Sequence, residues 1–301
     1  MRIIKTLLLS LLAFTTLVRA DEALMPYVLA YSAKGDAVAE TNKVRDKLTT
    51  AGFNVVGSYV PYPGATVLAV TSEAMRQAAS KDRTGGFGAV EHVAITEAEG
   101  GLQVSYLNPG YLYAANRMAA NPAALTAALK ATLGAEKTFG ASKGLTPKQL
   151  INYNYMMGME HFDDYYKLGN YKSYEEAVKA VEANLAKGVA GTAQVYKVEL
   201  PVVQQTVFGV SFAGVGNKNA NDKHMMFDTV EPNYALKTTA YMPYQIVVSG
   251  NEVLAQHMRY RMAVWHPELT MGTFGKLMSS PGAIEEVLRE VAGGKKAASR
   301  F

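Results

Sequence analysis

Three basic side chains at alternate positions, His257, Arg259 and Arg261, followed by Trp265, form the densest candidate for chemistry in this chain. Read as a strand over Val253–Trp265, they share one face with Val253, Ala255 and Ala263, while Leu254, Gln256, Met258, Tyr260, Met262 and Val264 take the other. Two guanidiniums two residues apart can fork onto a carboxylate or phosphate. This face is therefore expected to bind an anionic ligand through His257, Arg259, Arg261 and Trp265, with His257 as a pH-sensitive helper. The competing expectation is a solvated face paired with Glu252 and Glu268, because antiparallel sheets commonly leave one face in water.

A second candidate is metal chemistry. Four of the five histidines stand within a few residues of methionine, and thioether with imidazole suits Cu(I). Neighbours on a strand point to opposite faces, so only Met157 and His161, aligned at i and i+4 if that stretch is helical, make a well-spaced local pair. Asp164 completes the alternative set Met157, His161 and Asp164, and Glu160 is close enough in sequence to join an acid–base group. The H-E-x-x-H spacing is missing, as are the G-x-S-x-G elbow, the Walker loop and the dinucleotide fingerprint. No motif requires a cofactor; the metal alternatives are copper at the Met/His set and a hard metal at Glu160, His161 and Asp164.

The elements that must position these residues are written twice. A first strand, Tyr27–Ala33, leads to a helix over about Asp36–Thr50, strands at Asn54–Val60 and Thr66–Thr71, and a hairpin of Glu91–Thr96 with Leu102–Tyr106. In the second half, Ser173 caps a helix running to about Lys187, and strands follow at Thr192–Glu199, Gln205–Phe212, Tyr244–Ser249 and Val253–Trp265. The closing segments hold a constant offset of 159, which pairs Leu125 with Ile284, Leu129 with Leu288 and Gly134 with Gly293. Two copies are too few for a solenoid and imply a pseudo-dimer. The predicted class is α+β: two related α/β sandwich modules, each a mostly antiparallel sheet with helices on one face. Residues 21–136 form the first module, 137–147 a linker, and 148–301 the second module, with an insert near 217–239.

The Tyr241–Val248 strand, followed by a turn, a second strand and a Pro-capped helix, resembles the domain-of-unknown-function family numbered 302, and His92–Ile95 with Asn108-Pro109 resembles it more weakly. That resemblance implies a small α/β sandwich module and no settled activity, substrate or catalytic residue. The insert at Asn217–Thr239 departs from the family pattern.

Residues 1–20 read as a cleavable signal peptide: Arg2 and Lys5 precede the apolar run Thr6–Leu17, and Val18-Arg19-Ala20 offers small residues at the cleavage site. The chain is expected in the periplasm or outside the cell, with no stable membrane span once the signal is removed. Three of the 30 Lys and Arg residues lie in that leader, which leaves 27 against 26 acids and argues against nucleic acid as a partner. Cysteine is absent, so cores and not disulfides must stabilise the fold. Together these features predict an exported, non-catalytic binding or assembly protein that holds a small ligand, an anion among the candidates, or a protein partner where the copies meet. The alternatives are a periplasmic enzyme using His257 or His161, or a Met/His copper-binding protein.

Overall fold

The computed structural model describes residues 22–294, and the signal peptide expected over residues 1–20 lies outside the described residues. Two antiparallel sheets form the frame. The first contains β1 (Tyr27–Ala33), β2 (Asn54–Tyr59), β3 (Ala65–Thr71), β4 (Glu91–Ala98), β5 (Gly101–Leu107) and β6 (Lys137–Phe139), in the order β2-β3-β4-β5-β1-β6. The second contains β7 (Tyr166–Asn170), β8 (Thr192–Leu200), β9 (Gln205–Phe212), β10 (Tyr244–Ser249) and β11 (Glu252–Ala255), in the order β8-β9-β10-β11-β7. With β6 set aside, the two orders are the same, so the duplication read from the sequence is present in the topology. β6 pairs with β1 from within the expected linker, which is therefore partly sheet.

Helices cover one face of each sheet. On the first lie α1 (Ala37–Thr50), whose Asp36 side chain accepts from Ala39 N, and, after α2 (Glu73–Ala79) and α3 (Pro109–Ala115), α4 (Ala123–Leu133). Val44, Leu48, Leu125, Leu129 and Leu133 are their buried stripes. After α5 (Pro147–Ile151), the second sheet receives α6 (Tyr174–Ala186), whose Ser173 oxygen accepts from Glu176 N at 3.2 Å. α7 (Met258–Trp265), α8 (Met271–Lys276) and α9 (Ser280–Val291) complete the chain. Gly134 after α4 and Gly293 after α9 both have positive φ, 94° and 72°, as a helix stop requires.

The expected strand over Val253–Trp265 is a correction. Only Glu252–Ala255 is strand, and Met258–Trp265 is helix α7, capped by His257, whose Nδ1 accepts from Arg259 N at 3.3 Å. Seven of the eight residues of α7 are buried, so the helix shows no polar stripe and its chance alternation imitates period two. Met, Arg, Tyr and Ala carry no penalty against helix beyond a few tenths of a kcal/mol, ~0.5 at most. The counterpart of α7 is α3, which places the caps Asn108 and His257 in register 149 positions apart. α8, found in the second copy alone, lengthens the offset to 159 by the time α4 and α9 are reached.

The modules clasp each other through the connections that enter β4 and β10. The turn Gly85–Gly88 of the first copy packs on β9 and β10, and the turn Thr239–Tyr241 of the second packs on β3, β4 and β5. Gln205 anchors the first crossing, its Oε1 accepting from Gly86 N at 3.1 Å and its Nε2 donating to Asp82 O at 3.0 Å. Tyr62, Thr96 and Gln103 anchor the second, through Thr239 at 2.7 and 2.9 Å and the Lys237 backbone at 2.7 and 2.9 Å. The edge strands β2 and β8 adjoin where their bulges meet, and Gly57 lies so close to Val195 O that a Cβ there would stand 2.2 Å from it. No helix among the described residues is long and apolar enough to cross a membrane.

Candidate functional site

Where the copies meet, β4, β10, α3 and α7 enclose a small cavity. The first copy supplies Phe87, Val90, His92, Leu107, Leu112 and Asn116; the second supplies Tyr241, Gln245, Gln256, Arg261 and Trp265. Its volume is about 10 Å³, room for the centre of roughly one water molecule. The 149 offset pairs Leu107 with Gln256, Leu112 with Arg261 and Asn116 with Trp265. The second copy thus brings the charge and an amide to positions where the first has leucines.

α3 and α7 fix this geometry by a reciprocal pair of hydrogen bonds. Tyr111 OH donates to Val264 O, and Tyr260 OH donates to Ala115 O at 3.0 Å, each tyrosine reaching the same point of the other helix. Gln256 Nε2 donates across the seam to Asn116 Oδ1 at 2.8 Å. On the sheet side Tyr196 lies over Gly209, where a Cβ would stand 2.3 Å from its ring, and its hydroxyl meets His92 Nε2 at 3.2 Å and Gln245 Nε2 at 2.9 Å.

Arg261 is 4% exposed, and its Nη2 donates to Tyr241 O at 2.5 Å and Pro243 O at 2.8 Å. Its guanidinium stands 3.8 Å from the Tyr241 ring centre and 4.8 Å from that of Tyr244. Nη1 has no hydrogen-bond partner, and Arg261 makes no ion pair among the described residues. The field of this charge reaches its neighbours. Burial and then Arg261 push the His92 and His266 imidazoles down to about 3, so both are neutral. Asp222, which accepts from Phe212 N at 3.0 Å, is pushed up by burial to about 8 against the pull of that backbone bond and of Arg261.

The predicted anion ladder is divided by the helix. Arg261 and Trp265 line the cavity, whereas successive residues 100° apart carry Arg259 to the opposite side. There Glu160 Oε1 stands 3.1 Å from Arg259 Nη1 and 3.3 Å from His257 Nε2, and the His257 ring packs on Tyr166 with centres 4.4 Å apart. Burial lowers the His257 pKa, with Glu160 opposing. Arg259 is neutralised by that acid and is about half exposed.

The alternative metal set is not assembled. Residues 152–165 form turns and not the helix that would align Met157 with His161; Gly158 has φ 83° and Met157 is 95% exposed. His161 N donates to Asp164 Oδ2 at 2.8 Å, and Glu160 leaves them for His257. No group of three or more His, Cys, Asp or Glu that could hold a metal occurs among the described residues. The tyrosines of this stretch are packing anchors: Tyr153 OH donates to Ala263 O at 2.9 Å and Tyr166 OH to Pro281 O at 3.0 Å.

Sequence reading did not find His92, Asn116, Gln245, Gln256 or Asp222. The one signal was the second copy's departure from the first, visible once Asn108 is set against His257. Two broader surface grooves, about 660 Å³ beside α1 and α4 and about 300 Å³ between α2 and β8, present no buried charge. Comparison with known proteins finds no matching family model, no curated protein and no solved structure with significant similarity.

Proposed function

We propose that this chain is an exported, non-catalytic binding protein whose small anionic ligand is held between the two copies at Arg261. One observation carries the reading: a guanidinium almost wholly buried, with a donor nitrogen that no protein acceptor meets. Burying a charge without a counter-charge is costly, and a ligand of opposite sign is the direct compensation. Domain junctions are also where pockets preferentially form. The neutral His92 and His266 add polarity without adding a proton donor that works near neutral pH.

The rival enzyme reading draws on His257 and Glu160, an imidazole and a carboxylate in contact near the surface. The two readings separate experimentally. Thermal unfolding of the purified chain in a panel of sodium salts is expected to show anion-dependent stabilisation that is lost in Arg261→Met and kept in Arg83→Ala, an exposed arginine paired with Glu252. Stabilisation that ignores Arg261, or turnover that disappears in a folded His257→Ala variant, refutes the binding reading.

A further inference from the structure

We propose that the cavity at Arg261 is a site for one small inorganic monoanion of about water size, a halide being the simplest. This rests on the binding function argued above and narrows it. Size comes first: about 10 Å³ admits one heavy atom, and a carboxylate or phosphate requires the seam to open. Opening is opposed by the bonds that close it, from Tyr111 and Tyr260 across α3 and α7 and from Gln256 to Asn116.

Charge comes second. Arg261 is a fixed single positive charge. Its carbonyl acceptors and tyrosine rings offer partial charges only, and a water would satisfy the Nη1 donor without neutralising the ion. Asp222 is the buried acid that Arg261 influences, and its raised pKa keeps it mostly protonated at neutral pH. One negative charge balances the site, and a divalent anion exceeds it.

Donor supply comes third. A primary amide has two N–H groups, and Asn116, Gln245 and Gln256 each use one within the protein, on Leu112 O, Tyr196 OH and Asn116 Oδ1. All three amides line the space with Arg261, and each has a second N–H to offer a ligand there. The first copy has Leu112 where the second has Arg261, so the duplicated chain should bind one ion and not two.

The test is a titration of the purified chain with sodium chloride and sodium bromide at constant ionic strength, with gluconate, too large for the cavity, as the balancing anion. A rise in Tm of about 3 °C is expected at tenfold excess over Kd, growing with the logarithm of halide concentration beyond that, lost in Arg261→Met and kept in Arg83→Ala. Because Arg261→Met can fail to fold, bromide-soaked crystals of the unaltered chain supply a second measurement, in which one anomalous peak per chain is expected within hydrogen-bond distance of Nη1. Stabilisation by acetate or larger carboxylates that depends on Arg261 and exceeds that by halide overturns the assignment to a water-sized inorganic ion and leaves the binding function standing. If no anion gives an Arg261-dependent shift and the cavity shows no bromide peak, both are overturned.

Discussion

Glu91 shows how a single buried carboxyl can be structural. It is fully buried at the start of β4, and its Oε1 accepts from Leu107 N at 2.8 Å and His92 N at 3.0 Å. Burial raises its pKa well above the ordinary carboxylate value despite those two bonds, which favours the neutral acid. Glu91→Gln keeps an acceptor and adds no charge, and should change stability by less than about 1 kcal/mol at pH 7; Glu91→Ala orphans two buried N–H groups and should cost about 2–4 kcal/mol. Urea unfolding of both variants checks this, and equal losses would contradict it. Glu91 was not legible in the sequence, because its partner Leu107 lies on the next strand and no motif marks a carboxyl that caps a ladder. Arg261 was legible as a candidate, but through the wrong element: a strand puts Arg259 beside it, and the helix sends Arg259 to Glu160.

At the scale of elements, the strands and helices with a dry face and a wet face were readable. β1 and β9 occupy the ranges expected, the Ser173 cap starts α6 where its oxygen predicts, and the helix expected from about Asp36 starts at Ala37 with Asp36 as its cap. The failures were α7, buried on nearly every side and therefore without a period, and the turns at 152–165, where methionines and tyrosines imitate a helix face. The β2–β8 seam was also illegible, since it depends on Gly57 leaving space for a strand over 130 positions away. Gly57→Ala would drive a methyl into Val195 O, backbone that cannot rotate aside, and should destabilise by about 1–3 kcal/mol. Gly282→Ala, in α9 with nothing within 4 Å of the new methyl, should instead gain about 0.5–1 kcal/mol. Chemical denaturation of the pair is the check, and a harmless Gly57→Ala would mean that the seam is looser than described.

For the molecule as a whole, opposing titrations meet in one core. His92 and His266, with ordinary values of 6.5 lowered to about 3, contribute stability that is present above pH 6.5 and lost as pH falls towards 3. Asp222, raised from 3.8 to about 8, does the reverse: its contribution is full below pH 3.8 and lost as pH rises through 8. The groups that act on or feel Asp222 are Arg261, Tyr59 and Tyr241. Between about pH 4.5 and 6.5 the folded chain holds one proton at Asp222 that the unfolded chain has lost, and this offsets one histidine. Asp222→Asn removes the offset, so stability should fall more steeply with acid by about 1.4 kcal/mol per pH unit. Urea midpoints across that range measure the difference, and parallel curves for variant and parent would show that folded Asp222 holds no proton there. The tandem architecture itself was legible from the paired tails, but the reciprocal crossing of the modules was not, because nothing in either copy alone says whose sheet a connecting turn will cover.

The pairing of Leu112 with Arg261 has a consequence in symmetry. Were the same architecture assembled from two identical chains, every residue facing the common cavity would be present twice, and an arginine there would confront its own image. Two guanidiniums in so small a space would repel, and two leucines would leave it greasy and inert. Joining the copies in one chain permits a lone cation to face a hydrocarbon side chain, a combination that no exact two-fold assembly can build.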